Sequence, residues 1–414
     1  MGGGRPAAWH PSIGALGEAR RRGATGHSGS FGRRRRRITP GAVGRLSAWS
    51  AGKTGRQLSV RGRSRHVSRA PPATPAHPCP VTTFDVGVAC AVFLVGALVS
   101  LGASAVLVAN IERVAARLGL AEAILGLIAA IAADGPEISS ATAALIRGQH
   151  SIGAGVVFGS NVFNLAALLG LSALIAGRVA LHRSVVLFGG AMALWAAGVS
   201  VIAMVGAITA PIALVLVLVV FIPYVVVSGL SARRLGRLRL PRSWVRWLSH
   251  AVLDEETELR PALHPSAGSW RNAAAAGAAL AVVIVASVGM EQSASDLGDH
   301  FAIPGIVVGG VVLAAVTSLP NAVAAVYLAV RGRAPAVLSA ALNSNNVNVL
   351  CGLLIPSAIL GLAPGLGGGA SIAAWYLALT ALCLAAAYRW RGLGRISGAL
   401  IVLGYLGFVV VVAG

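Results

Sequence analysis

The sequence is poor in acid, in charge generally and in cysteine. Of 414 residues only 13 are Asp or Glu, charged residues make up 11% and aromatic residues 5%. Soluble domains carry about 25% charged residues, so a water-solvated surface around the whole chain is excluded. The four cysteines, Cys79, Cys90, Cys351 and Cys383, form no CxxC pair and no short frame. That excludes a disulfide scaffold and a cysteine zinc site, and leaves packing as their use. No nucleophile–base pairing marks a catalytic centre, so the chain reads as not an enzyme. What is abundant is apolar: 56% of residues are hydrophobic and the mean hydropathy is +0.78.

The net charge of +21 pulls against this picture until it is located. Sixteen of the 34 Lys and Arg fall within residues 1–80, including the runs Arg20–Arg22 and Arg33–Arg37, against the single acid Glu18. This stretch has no apolar periodicity and is expected to be a disordered basic tail over 1–82. Its composition also fits an arm for RNA or anionic lipid, or an Arg-rich transit peptide. The expectation is a tail that does not contribute to function or is missing from the mature protein, with no nucleic acid as partner.

A membrane-crossing helix needs about 20 mostly apolar residues. From Phe84 onward about ten such windows follow: 85–109, 121–146, 151–176, 184–205, 208–230, 272–290, 303–330, 335–361, 369–388 and 393–413. The fold class is therefore an all-α integral membrane protein. Residues 83–230 form a first five-helix half, 231–271 a polar cytoplasmic linker and 272–414 a second half. With the first span starting outside, the inner loops and their flanks hold 17 of the remaining Lys and Arg and the outer loops only Arg147. That agrees with the enrichment of basic residues on the cytoplasmic side. It places Glu291, Asp296 and Asp299 in an outer loop, and the tail outside, against the rule.

Residues 126–164 and 310–348 align without a gap. The shared positions are Gly126/Gly310, Ala130/Ala314, Pro136/Pro320, Ala141/Ala325, Arg147/Arg331, Gly148/Gly332, Ser160/Ser344, Asn161/Asn345 and Asn164/Asn348. Five spans separate the copies, and an odd number reverses their direction across the bilayer. Inverted repeats are characteristic of secondary transporters, whose substrates bind near the midplane. The four glycines are assigned to close packing and turns.

Only Asp134 and Glu137 read as acids deep inside an apolar span. A central acid costs about 2.5–3.5 kcal/mol on insertion scales, so such residues are functional by default. Pro136 cannot donate to the carbonyl of Ala132, nor Pro320 to that of Val316. Both helices are therefore expected to be broken, with carbonyls free for a cation. Thr317, Ser318 and Asn321 flank the second proline. Ser160 and Asn164 share one helix face, and Ser344 and Asn348 repeat that spacing. Together these groups offer the six to eight oxygens that calcium takes. His and Cys are missing from the set, which argues against zinc or copper. Hydrogen-bonding glue between helices is the alternative for any one of them.

These residues resemble the α-repeats of the cation/calcium exchanger superfamily, the sodium/calcium exchanger membrane region. Its repeats carry a GTSxPE-like element followed by GSNxxN. Here the first copy gives AADGPE and GSNVFN, and the second gives VTSLPN and NSNNVN. The resemblance implies ten spans, a cytoplasmic loop after the fifth, and exchange of calcium against sodium, potassium or protons. It implies that Glu137, Ser160, Asn164, Thr317, Ser318, Ser344 and Asn348 stand at ligand positions. Three departures stand out: Asn321 replaces the second acid, Ala133–Asp134 replace the first Thr-Ser pair, and NSN replaces the second GSN. Asp134 is expected to supply the carboxylate that Asn321 lacks. Two carboxylates this close compete for protons as a coupled pair, which puts protons beside sodium as the exchanged ion.

The expectation is an alternating-access antiporter with a cation site at Glu137, Asp134, Ser160, Asn164, Thr317, Ser318, Asn321, Ser344 and Asn348. It would bind no cofactor, only the transported cations, Ca²⁺ with Na⁺ or H⁺. Its surroundings would be the lipid bilayer, as a multi-pass plasma-membrane protein. The alternatives are a same-fold exchanger for another cation and a non-transporting scaffold or sensor with a degenerate site.

Overall fold

In hydrocarbon every backbone N–H and C=O must find its partner within the protein, and a helix does this locally. The apolar runs of this chain meet that requirement in a computed structural model. It describes residues 85–118, 128, 130–229, 241, 243, 248, 268–330, 334–362 and 368–414. The tail 1–82, nearly all of the linker 231–271, the start of the second span, Gly126, Arg331 and Gly332 lie outside the described residues.

The first half contains α1 (Val86–Arg117), α2 (Gly135–Ile146), α3 (His150–Asn164), α4 (Arg183–Met204) and α5 (Ala210–Ser228). The second contains α6 (Trp270–His300), α7 (Ala314–Val330), α8 (Ala334–Val347), α9 (Gly369–Trp390) and α10 (Arg395–Ala413). Among the described residues, nine helices are long and apolar enough to cross a membrane. The tenth expected span is represented by α2 and the helical turn that precedes it.

Three helices contain π-helical stretches. Leu165–Leu171 continues α3 towards Ser172–Ala176, and Asn348–Leu354 continues α8 towards Ile355–Leu360. Val308–Leu313 precedes α7. Wide turns of this kind are frequent at functional sites. Two of them begin directly at the last Asn of a repeat motif or one residue past it.

The helices differ in what surrounds them. The span that includes α3 is 94% enclosed by protein and that of α8 78%, whereas α1 and α10 are at 22%. Leu98 on α1 and Val285 on α6 turn large side chains outward, as lipid-facing residues do. The helices bearing the Ser-xxx-Asn pairs thus sit in the core, and α1 and α10 lie at the rim. α1 packs along α6, and α4 along α9.

The all-α architecture holds, with one short ribbon among the described residues in which Arg178–Ala180 pairs antiparallel with Gly392–Gly394. Two expectations are corrected. The helix around Pro320 is not broken, because α7 runs through it. The bend is confined to the first copy, where Gly135 precedes Pro136 and gives the backbone more freedom than Leu319 gives at the second. Lastly, Glu291, Asp296 and Asp299 are not in a loop: α6 continues to His300. Hydropathy ends at the first charge, while helical hydrogen bonding continues along an amphipathic turn. Glu291 is fully buried, and Asp296 and Asp299 are exposed.

Glycine sets the closest contact of the core. A Cβ on Gly159 would lie 2.1 Å from the carbonyl oxygen of Gly310, below any real contact distance. α3 can therefore approach the π-helical stretch before α7 only with bare backbone, the small-residue packing of membrane bundles. Gly148, at φ +76°, turns the chain between α2 and α3. Gly159→Ala is expected to destabilise the fold by about 1–3 kcal/mol through overpacking. Thermal unfolding in detergent checks this, with Gly198→Ala, whose Cβ meets nothing within 4 Å, expected to melt like the parent.

Candidate functional site

The site is built where the two sequence repeats meet. The chain bends at Asp134 (φ −82°, ψ 7°), and α2 opens at once with Pro136 in its first turn and Glu137 beside it. Both carboxylates are thereby placed at the start of a helix and enclosed. Asp134 is 0% exposed and Glu137 1%. An acid so placed requires partners with protons to donate.

The second repeat supplies them. Asn321 Nδ2 donates to Asp134 Oδ1 at 2.9 Å, and Ser344 Oγ donates to the same oxygen at 2.7 Å. Ser318 Oγ donates to Glu137 Oε1 at 3.0 Å. The repeat offset of 184 residues exchanges these contacts: Asp134 maps to Ser318 and Glu137 to Asn321. The Asp134–Asn321 pair and the Glu137–Ser318 pair are thus equivalent places in the two copies. One copy holds both acids and the other both neutral donors.

Behind the carboxylates, α3 and α8 are stitched together by four asparagines. Asn161 Nδ2 donates to the Asn345 carbonyl at 3.2 Å, and Asn345 Nδ2 to the Asn161 carbonyl at 3.1 Å. Asn164 Nδ2 donates to Asn345 Oδ1 at 3.2 Å, and Asn348 Nδ2 to Asn161 Oδ1 at 3.3 Å. Each bond is the repeat mate of another. Asn164 also donates to Ser344 Oγ at 3.0 Å. The asparagine cluster and Asp134 therefore share one network.

Of the nine predicted site residues, Asp134, Glu137, Asn164, Ser318, Asn321 and Ser344 enter these contacts directly. Ser160, one turn before Asn164, is buried with its hydroxyl unpartnered. Asn348 joins through Asn161. Thr317 does not join: its hydroxyl donates back into its own helix, to the Leu313 carbonyl at 3.0 Å. The carbonyl of Ala132, expected to be open to a cation, meets the Ser104 hydroxyl from α1 at 3.3 Å. A polar side chain from the rim has taken up the group that Pro136 released.

Asn161 and Asn345 were legible only as repeat identities, and their role as the central fastening was missed. The signal was present, since residues shared by both copies but off the Ser-xxx-Asn face must meet something else. Asn346 is buried with both ends of its amide unpartnered.

The hydrogen-bond account leaves five acceptor oxygens of the predicted set without a protein partner: Asp134 Oδ2, Glu137 Oε2, Ser160 Oγ, Asn164 Oδ1 and Asn348 Oδ1. All are buried. Buried polar atoms in proteins are nearly always paired, and each exception calls for an explanation. Hard cations take oxygen ligands of these types. Among the described residues, no three His, Cys, Asp or Glu cluster as a metal site. The set is thus two carboxylates supplemented by neutral oxygens.

The sequence profile of the sodium/calcium exchanger protein family matches residues 88–230 and 272–414. The chain belongs to that family. It is accordingly an integral multi-pass membrane protein and a cation antiporter, not an enzyme. Among similar proteins is CaxA of Alkalimonas amylolytica, assigned as an antiporter. It is 24% identical over 330 residues, which span 76% of this chain and 95% of CaxA. Among solved structures, the H⁺/Ca²⁺ exchanger CAX shares the fold with a TM-score of 0.59 at 15% identity, covering 78% of this chain and 82% of CAX. The sodium-calcium exchanger NCX_Mj does so with a TM-score of 0.51 at 20% identity, covering 79% and 99% respectively.

In this exchanger-family protein the reciprocal Asn161–Asn345 bonds act as one unit. Asn161→Ala and Asn345→Ala are each expected to cost about 0.6–2 kcal/mol. Together they should cost clearly less than their sum, because each substitution already disables bonds the other residue makes. A double-mutant cycle on thermal stability in detergent checks this.

Proposed function

We propose that the protein exchanges calcium against sodium or protons across the plasma membrane, by alternating access around the Asp134–Glu137 site. The observation that carries this reading is the group of five buried, unpartnered oxygens, two of them carboxylate, contributed by both repeats. Six to eight such ligands at 2.3–2.6 Å suit calcium, and backbone or water oxygens complete the set. Two carboxylates balance a divalent charge, which a bilayer interior otherwise makes expensive. The sodium- and proton-driven structural relatives accord with either driving ion.

Each residue has a distinct part in this reading. Asp134 Oδ2 and Glu137 Oε2 take the cation, while Ser344, Asn321 and Ser318 hold the other carboxylate oxygens in place. Ser160, Asn164 and Asn348 present neutral oxygens from the enclosed helices. Asp134 substitutes for the acid that Asn321 lacks. The Asn321 bond to Asp134 also favours a second reading, a same-fold exchanger for another cation, because it draws on one oxygen of the acid that the site needs.

Uptake of radioactive calcium into vesicles, with sodium or pH gradients imposed in turn, tests the reading. One gradient is expected to drive uptake. Glu137→Gln and Asp134→Ser are each expected to reduce it to the level of protein-free vesicles. Asp134→Ser combined with Asn321→Asp should restore part of it, because the second carboxylate returns on the opposite repeat. Undiminished uptake by Asp134→Ser would remove Asp134 from the site. If neither gradient drives uptake in the parent protein, the calcium reading fails.

A further inference from the structure

Among the described residues one other acid is buried, and it lies off the central site. Glu291 on α6 is 0% exposed, one carboxylate oxygen bonds to Arg147, and Oε2 has no protein partner. Arg147 follows α2, and its side chain is 30% exposed. Arg147 also donates to Gln149 Oε1 at 2.8 Å, and Gln149 Nε2 donates to Ser295 Oγ at 2.6 Å. The pair therefore straddles the boundary between interior and surface. It stands at the opposite end of the span that includes α3 from Arg178, Arg183, Arg389, Arg391 and Arg395.

The pair also caps a line of polar groups that leads to the site. Glu137 and Ser140 on α2 and Arg147 at its C-terminal cap fall on one face, at helical spacings. On α6, Ser287, Glu291 and Ser295 do the same. The two faces meet, for Ser140 Oγ donates to the Ser287 carbonyl at 3.4 Å. Ser287 and Ser100 of α1 share a hydroxyl bond of 2.7 Å. Between the Glu137 carboxylate and the surface lie buried hydroxyls, then Glu291, then exposed Asp296 and Asp299. Polar and ionisable residues arranged through a membrane protein mark ion pathways.

The repeat-equivalent position of Glu291 carries no acid. The repeat offset brings Glu291 onto Leu107, a buried residue of α1.

We propose that Arg147 and Glu291 form the gate at this end of the cation path, with Arg147 as a tethered cation on Glu291. When the pair parts, Glu291 offers its oxygens to the incoming ion, which takes the place of the guanidinium. An arginine charge suits this role because it is always present and binds a carboxylate in fixed geometry. Removing one member of a buried pair leaves the other uncompensated, so the closed state depends on both. The proposal rests on the cation-antiport reading, but its first test does not need calcium.

That test places a reporter thiol at Ser140→Cys in the full chain, with the four natural cysteines replaced. A membrane-impermeant thiol reagent is applied from the Arg147 side. Labelling is expected to be slow with the pair intact and several-fold faster in Arg147→Ala and Glu291→Gln. It should be slow again in the reversed pair Arg147→Glu/Glu291→Arg and in Arg147→Lys. Labelling that stays slow in Arg147→Ala would overturn the gate. The second test is the calcium concentration on the same side that half-saturates uptake. Arg147→Ala should lower it several-fold and Glu291→Gln should raise it, because one removes the competitor and the other the ligand. Shifts in the same direction would mean that the pair merely fastens the turn after α2, and would overturn the proposal. Gated labelling in a parent protein without calcium uptake would support the gate and overturn the calcium reading instead.

Discussion

A carboxylate enclosed by a membrane bundle, with one of its oxygens unpartnered, is the constraint on which the rest of this structure depends. Asp134 and Glu137 stand side by side in that condition, where low polarity raises the free energy of each and where each repels the other. The bend at Asp134 and the proline after Gly135 place them at a helix start. Ser318, Asn321 and Ser344 each satisfy one oxygen and leave the second open. Helices with large outward-facing apolar side chains, such as α1, α5 and α10, lie around them. Without a counter-charge this arrangement is costly, and under the proposed function a cation that arrives and leaves supplies it transiently.

Around this pair the fold solves a geometric problem with two related halves. The asparagine bonds between α3 and α8 are exchanged in pairs by the repeat offset, so the two enclosed helices meet at a common centre. Gly159 against Gly310 lets the backbones approach there without side chains between them. Yet the halves are unequal in chemistry. Both acids come from one copy and both facing donors from the other, and Glu291, paired with Arg147, has Leu107 as its repeat mate. A transporter that works in two directions against two ions has use for such inequality on a near-symmetric frame.

Much of this was legible in the sequence, because the bilayer restricts what a sequence can mean. Long apolar runs in a bilayer form helices, the two central acids proved to be buried side by side, and the aligned Ser-xxx-Asn pairs located the facing surfaces. The parts that were not legible depend on tertiary neighbours. Hydropathy could not tell that Glu291 remains helical and buried, because its partner Arg147 is 144 residues away. Pro136 and Pro320 looked alike, but only the first is preceded by a glycine, and the carbonyl it releases is met by Ser104 from another helix. Thr317 sat at a ligand position of the family pattern, yet a hydroxyl can turn back to its own helix as readily as towards a site. Nothing in a single sequence decides between the two.

Under the proposed function the open oxygens of Asp134 and Glu137 receive the transported ion. This is tested most directly by diffraction from crystals of the protein soaked in calcium or strontium, reading the anomalous signal of the ion. A peak is expected within about 2.3–2.6 Å of both carboxylates, with oxygens of Ser160, Asn164 or Asn348 among the remaining ligands. A fully occupied ion elsewhere in the bundle, with Asp134 and Glu137 both uncontacted, would contradict it.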